Sequence, residues 1–388
     1  MKMKIGIVGG ALQGMEAVLL AKKAGYESLV IDRKSTAPAA SLADHFVLCD
    51  VVNDTETAKR IFSDCDAVIP ACEELDALHI LCKEVPAVDK PLLFDMHAYE
   101  ISCSKERSNR TMAEAGVPLP KPWPECGFPI IVKPSCQSGS IGVSEVNNEE
   151  ERQKALEVVK ELGDEPIQQE FVSGKSVSIE VIGNGTSARS YVTTEIVLDH
   201  NYDCKRVVCE PNILKEEDDE LFGKIGVDIA NGIGLKALMD VEAIYTKKGL
   251  RVLEIDSRIP SQTPMAIQAG TGINLLEELV NSALGKGVER PNSGNCSVYE
   301  HYLVRDGNLI TCGEKEFGHV EKPYIAERLF GADEVITDYM PGKSVWRATV
   351  INSGKTPAEV LEKRKRFISN AMNECDLEEY IDRSPEVV

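Results

Sequence analysis

The first hundred residues alternate strand and helix with short connections, and that alternation constrains the fold more than any other feature of the chain. Lys4–Gly10 (KIGIVGG) runs apolar into a glycine turn, and Leu12–Gly25 follows as an amphipathic helix ending at a glycine. Ser28–Arg33 and His45–Val51 read as strands, Thr55–Ser63 as a helix, and Ala67–Cys72 as a strand followed by Glu73 and Glu74. Glu74–Glu84 and Pro91–Asp95 continue the series. Parallel strands need crossover helices, so this pattern predicts a doubly wound parallel sheet. At 388 residues the chain exceeds what one core supports, and two or three domains are expected.

Beyond Ser102 the pattern changes. Ser102–Gly116 reads as a polar helix, and the proline-rich run Val117–Pro129 as a boundary. Phe128–Pro134 is a strand, Ser135–Gly142 a loop of small residues, and the stretch through Glu149–Leu162 a charged helix. With Pro166–Val172 and Ser176–Gly183 as further strands, this suits a small α+β lid over about 118–186. A helix over Glu217–Gly234 and two strands, Met239–Thr246 and Leu250–Ser257, follow, then a helix from Asn274. The remainder has mixed strand signals and a last helix from Pro357. The expected division is 1–102, 103–290 and 291–388.

The formal charge of −20 removes nucleic acid and anionic membranes from the partners, since either needs a basic footprint. No run approaches the ~18 apolar residues of a membrane span. The 12 cysteines are scattered without C-x-x-C pairs, and MKMKIGIVGG lacks a leader's hydrophobic core and cleavage site, so a reduced, cytoplasmic protein is expected. Cys136 has no histidine partner placed by sequence, and the six histidines show no zinc spacing.

Three stretches carry chemistry. Gly9–Gly14 (GGALQG) follows the first strand, and Asp32 ends the second as a dinucleotide site would require. Its spacing is G-G-x-x-x-G rather than G-x-G-x-x-G, so a packing turn competes evenly with a ligand loop. Ala11, Leu12, Gln13, Asp32, Asp50, Val51, Cys72 and Glu73 would line a crevice at these strand ends, its acids suited to an amine-bearing ligand. Asp50 and Glu73 are expected on neighbouring strands. In the second stretch Lys133 precedes Ser138, Gly139, Ser140 and Gly142, a set able to close backbone N–H groups on phosphate, although surface loops of this composition are common. Lys105 has no special meaning alone.

In the third, Asp240, Glu242, Glu254 and Asp256 lie on two strands that would form a hairpin around a KKG turn. Residues two apart share a face, and apolar neighbours make that face an interior one. Carboxylates crowded there need a cation, and an all-oxygen set suits Mg²⁺. If the strand continues, Arg258 shares the face of Asp256.

In this order the pieces resemble the ATP-grasp superfamily: an α/β amino-terminal domain, Lys105, Lys133-Pro with its Ser/Gly loop, Gln-Glu-Phe-Val, and Glu-Ile-Asp-Ser-Arg. The resemblance spans Met1 to about Gly287, and the remainder looks like the extra segment of the carboxylate–amine ligase branch. It implies an ATP-grasp fold of two α+β subdomains after the doubly wound domain, with ATP and Mg²⁺ as cofactors. Lys105 and Lys133 would hold phosphates beneath Ser138–Ser140, Glu170, Phe171 and Val172 would meet adenine, and Glu242, Glu254 and Asp256 would bind the metal. Relatives commonly carry Asn where Asp256 stands.

GGALQG, NYDCKRV, LMDVEAI, EIDSRIPSQTP, GINLLE and VYEH are similar to the ligases of pyrrolysine biosynthesis. That resemblance implies ATP-dependent coupling of the carboxylate of (3R)-3-methyl-D-ornithine to the side-chain amine of L-lysine. Arg258 and Lys133 would be catalytic. Arg258, Ser261 and Gln262 would serve the carboxylate, Glu180 and Asp203 the donor amines, and Leu12, Gln13 and Glu73 the lysine. Ala11 departs from the pattern, as a lysine is expected there. Partners are small amino acids, and relatives allow a homodimer. Rivals are another ATP-grasp amino-acid ligase, a purine-type carboxylase and, in a different class, an NAD(P)-binding oxidoreductase.

Overall fold

The computed structural model describes residues 2–137, 139, 141–286 and 294–385. The chain forms two compact units. One gathers Met1–Met96, Ile196–Ile213 and Arg258–Val388, and the other His97–Glu195 and Leu214–Ser257. The segments 1–102, 103–290 and 291–388 follow chain order, whereas the units follow packing, and the chain crosses from one unit to the other several times.

The first unit opens with a four-stranded parallel sheet ordered His45–Leu48, Glu27–Asp32, Lys4–Val8, Ala67–Pro70. Val8, Ile31, Phe62, Val68 and Leu81 form its core on one side. The run expected as a fifth strand, Pro91–Asp95, is reduced to a bridge between Val68 and Leu92. The chain turns there into the helix Met96–Ser102. The helix Leu12–Lys23 is not amphipathic as expected: Gly14 to Ala21 are all buried. It packs against the sheet and also against the helices Thr263–Thr271 and Leu275–Ala283, so both faces are covered. Buried Glu16 accepts from the Met265 amide (2.7 Å), and Asn274 Nδ2 donates to the Leu20 carbonyl (2.8 Å).

The same unit holds an antiparallel run of strands ordered Cys204–Cys209, Cys296–Arg305, Trp346–Gly354, Glu334–Thr337, Tyr324–Glu327. Asn308–Thr311 pairs with Cys296–Arg305, and Glu379–Ile381 adds alongside it in parallel. The helix Pro357–Glu374 covers one face, its Phe367 closing a core of Tyr302, Phe330 and fully buried Trp346.

The second unit has a three-stranded antiparallel sheet ordered Ser144–Val146, Ile130–Pro134, Pro166–Glu170. The helix Glu149–Glu161 packs on it, capped by Asn148, whose side chain accepts from Glu151 N (3.0 Å). Acids at Glu149–Glu151 suit the positive end of the helix dipole. Its other sheet runs Gly249–Asp256, Leu238–Thr246, Lys175–Gly183, Ala188–Leu198. Lys175–Gly183, wholly inside the expected lid span 118–186, is thus paired with the acid-bearing hairpin. The helix Glu216–Ile233 lies on this sheet, close enough at Gly226 that a Cβ would meet Val181 Cγ2 at 2.8 Å. The polar helix expected from Ser102 begins at Lys105, because Ser104 is its cap and accepts from Arg107 N (3.4 Å).

Candidate active site

The second unit builds an acidic face from strand register alone. Glu254 stands opposite Glu242, and Asp256 opposite Asp240. On the other side of that strand Asp240 faces Glu180, and Glu242 faces Ser178. Cross-strand partners share a face and residues two apart return to it. Ser178, Glu180, Asp240, Glu242, Glu254 and Asp256 therefore form two adjoining rows on one side of the sheet. Glu180 is fully buried and Asp240 nearly so.

Two lysines compensate these carboxylates. Lys105, at the start of its helix, has Nζ 3.1 Å from Glu254 Oε2 and donates to the Gln137 carbonyl at 2.8 Å. Lys133 Nζ lies 4.0 Å from the same Glu254 oxygen. The two elements are tied by the Lys105 amide donating to the Ser135 carbonyl (2.9 Å) and by the Ser104 and Ser135 hydroxyls 3.3 Å apart. Burial lowers the Lys105 pKa, but Glu254, Asp256 and Glu242 outweigh it and hold the ammonium above the ordinary lysine value. For Lys133 burial wins over the pull of Glu254, Lys105 adds repulsion, and its pKa falls. These two lysines share one carboxylate and supply the positive charge of an otherwise acidic face.

The loop after Lys133 has Gly139 at φ 60° and Gly142 at φ 71°, conformations that favour glycine. Ser138 and Ser140 lie outside the described residues. Glu170 Oε2 accepts from Lys121 N (3.2 Å) and the Phe171 amide donates to the Pro129 carbonyl (3.2 Å), so Glu170 and Phe171 are tied to the boundary run, with Val172 next in the connection to Lys175. Donor chemistry on the acidic face is oxygen only, which fits Mg²⁺. Among the described residues no three Asp, Glu, His or Cys side chains are grouped closely enough to hold a metal unaided. Mg²⁺ takes one or two carboxylates and completes its shell with water and substrate phosphates.

The first unit assembles a separate polar constellation. Arg258 Nε lies 2.7 Å from Glu73 Oε1, and Gln13 Nε2 donates to that same oxygen at 2.8 Å. The strand ends at Asp256, so the condition for Arg258 to share the face of Asp256, that the strand continues, is not met. Ser261 Oγ and Gln262 Nε2 both donate to Glu314 Oε2 (2.5 and 2.9 Å), and Cys204 Sγ donates to Gln262 Oε1 (3.1 Å). Asp203 accepts from the Lys315 amide at 3.0 Å. Burial is the main force lifting the Asp203 carboxyl to about 6, with Glu314 adding to it. Asp203 and Glu180 belong to different units. Sequence reasoning missed Glu314, which sits on a four-residue helix with no local pattern to mark it.

The glycine-loop crevice is rearranged. Asp50 and Glu73 follow the two outermost strands of the sheet, not neighbouring ones. Asp50 accepts from the Val52 and Asn53 amides and holds its own turn, and Val51 is buried in the core. Asp32 accepts from Gly10 N and Lys34 N, both at 2.7 Å. A Cβ on Gly9 (φ 109°) would meet the Ala71 carbonyl oxygen at 2.4 Å, so close backbone packing accounts for this glycine. Ala11 caps the first helix without a side-chain bond, Leu12 begins it, and burial pushes the half-buried Cys72 thiol up to about 11.

Residues 103–262 match the ATP-grasp domain family, and residues 5–90 the PylC-like N-terminal domain family. Solved structures agree on the fold. Biotin carboxylase from Campylobacter jejuni aligns with a TM-score of 0.71 over 93% of this chain and 90% of its own, at 17% identity. N5-carboxyaminoimidazole ribonucleotide synthetase from Thermus thermophilus gives 0.67 over 95% and 98%, at 18% identity. The fold and its acid–lysine face define an ATP-grasp enzyme.

Within that class, the 3-methyl-D-ornithine–L-lysine ligase of Methanosarcina acetivorans is 37% identical over 93% of this chain and 98% of its own length. Its counterpart in Methanosarcina barkeri is 37% identical over 80% and 83%. The chain belongs to the 3-methyl-D-ornithine–L-lysine ligase family. It is an amide-forming ligase, and the oxidoreductase reading falls.

Proposed function

We propose that this ligase activates the carboxylate of 3-methyl-D-ornithine with ATP and couples it to the side-chain amine of L-lysine. A carboxylate oxygen displaces ADP from the γ-phosphorus, giving an acyl phosphate. The lysine amine then attacks the acyl carbon, losing a proton, and phosphate leaves. Such chemistry needs positioning and charge neutralisation more than a strong base.

The observation that supports this reading is the in-register acidic face compensated by Lys105 and Lys133, in a chain of this family. Lys105, Lys133 and the loop at Ser138, Gly139 and Ser140 would neutralise phosphate, and Glu170, Phe171 and Val172 would border adenine. Glu242, Glu254 and Asp256 would hold Mg²⁺, which supplies charge stabilisation at the transferring phosphoryl group. Arg258 would orient the carboxylate, and Ser261, whose hydroxyl donates to Glu314, would line the same pocket. Asp203 would receive a donor ammonium, Glu180 would add negative charge on its own sheet, and Leu12, Gln13 and Glu73 would seat lysine. Ala11, Asp32 and Cys72 border that seat, whereas the local bonds of Asp50 and the burial of Val51 leave them structural work.

The test is ADP release by the purified protein with ATP, Mg²⁺, L-lysine and 3-methyl-D-ornithine, with the product mass measured. A product equal to the sum of the two amino acids less one water is expected. ADP formation without that product would refute the reading.

A further inference from the structure

Glu379–Ile381 pairs with Asn308–Thr311, and the Tyr380 hydroxyl lies 2.9 Å from Thr311 Oγ1. Just beyond it the chain meets Lys205, whose side chain is 1% exposed. Lys205 Nζ donates to Asp382 Oδ1 (2.6 Å), the Arg383 carbonyl (2.7 Å) and Ser384 Oγ (3.0 Å). An ammonium has three N–H donors, and burial is tolerable only when they are satisfied. Here residues 382–384 satisfy all of them. The other Asp382 oxygen accepts from Arg206 (3.0 Å) and Arg364 (3.1 Å), and both arginines converge on buried Glu300.

Both segments gripped by this tail lead into the constellation around Glu314. Lys205 follows Asp203 and Cys204 directly, and Cys204 bonds to Gln262, which bonds to Glu314. Asn308–Thr311 runs, through Cys312 and Gly313, into Glu314 and Lys315, and the Lys315 amide holds Asp203. Lys205 is buried while Asp382 keeps 26% of its side chain exposed. An apolar side chain commonly fills a site like that of Lys205 at no loss of stability, so the ammonium there calls for a reason other than stability.

We propose that Glu379–Ser384 is a latch that positions Asp203 and Glu314 for the cationic donor amino acid, with Lys205 and Asp382 as positioning residues. This rests on the ligase reading above and adds the device that shapes the donor seat.

The test uses the full-length protein and the variants Asp382→Asn, Lys205→Met and Lys205→Met/Asp382→Leu. Calorimetric titration with 3-methyl-D-ornithine, KM values for all three substrates and Tm are measured. Donor Kd and KM are expected to rise at least tenfold in Lys205→Met, while the KM for ATP stays within twofold. The apolar double variant is expected to recover Tm but not donor affinity, which separates placement from stability. Asp382→Asn, nearly isosteric, decides the matter if the others fail to fold, and should weaken donor binding at least threefold. Donor binding unchanged in the folded variants overturns the latch alone. A wild-type protein that binds no 3-methyl-D-ornithine overturns the ligase reading, and the latch with it.

Discussion

Asp203 is the residue whose environment makes the clearest demand. Its carboxyl is lifted to about 6, chiefly by burial. A raised acid pKa means the folded protein keeps the proton longer than the unfolded chain, so ionisation costs stability as pH rises from about 4 through 6. The form able to receive an ammonium is dominant only above that value. Donor KM is therefore expected to rise about fourfold between pH 7.5 and 5.5, following the ionised fraction. Steady-state assays with Asp203→Asn should show weak donor binding and a flat profile over the same range. Glu254 is the second test at this scale, since both lysines bear on its Oε2. Glu254→Gln should lower kcat by on the order of 10²–10³, in line with loss of a preorganised electrostatic group. Retention of ADP release would show that Lys105 and Lys133 are compensated for packing alone. Asp203 was named from the sequence as a candidate for the donor amines, but its burial was not readable there. Glu314 was not named, because nothing near it in sequence reports that Ser261 and Gln262 fold back onto it.

Among the elements, the hairpin Leu238–Thr246 with Gly249–Asp256 was readable in advance, because period-two alternation puts its acids on one face whatever surrounds them. Where the strand stops was not readable: it ends at Asp256, so the register that orders the acids does not reach Arg258. The short helix Glu314–Phe317 shows the reverse case, four residues with no local pattern to mark them. A Cβ on Gly313 would fall 2.1 Å from Asp203 Oδ2 and 2.5 Å from its Cβ. Gly313→Ala must therefore displace the Asp203 side chain, with an expected loss of about 1–3 kcal/mol from overpacking. Thermal melts should show that loss, and kinetics a raised donor KM with the KM for ATP unchanged. An alanine variant with unaltered donor KM would show that the Asp203 position does not matter to binding.

At the scale of the whole molecule, a ligand that binds only the folded chain stabilises it by mass action. ATP with Mg²⁺ at a hundredfold over Kd should add about 2.7 kcal/mol. Denaturant titration is expected to show that gain in wild type and not in Glu254→Gln; an equal gain in both would separate the acidic face from nucleotide binding. No helix among the described residues is long and apolar enough to cross a membrane, as its hydropathy had implied. What residue order determined by itself was local: which segments pair or coil, which acids share a strand face, and which loop carries small residues after Lys133. These follow from backbone periodicity and side-chain chemistry within a few residues. Only the tertiary structure decided that His45–Leu48 and Ala67–Pro70 are opposite edges of their sheet, that Glu180 joins the acidic rows, and that Lys205 is enclosed by residues 382–384. Strand order, burial and long-range ion pairing depend on which surfaces exclude water together, and no stretch of sequence carries that information alone.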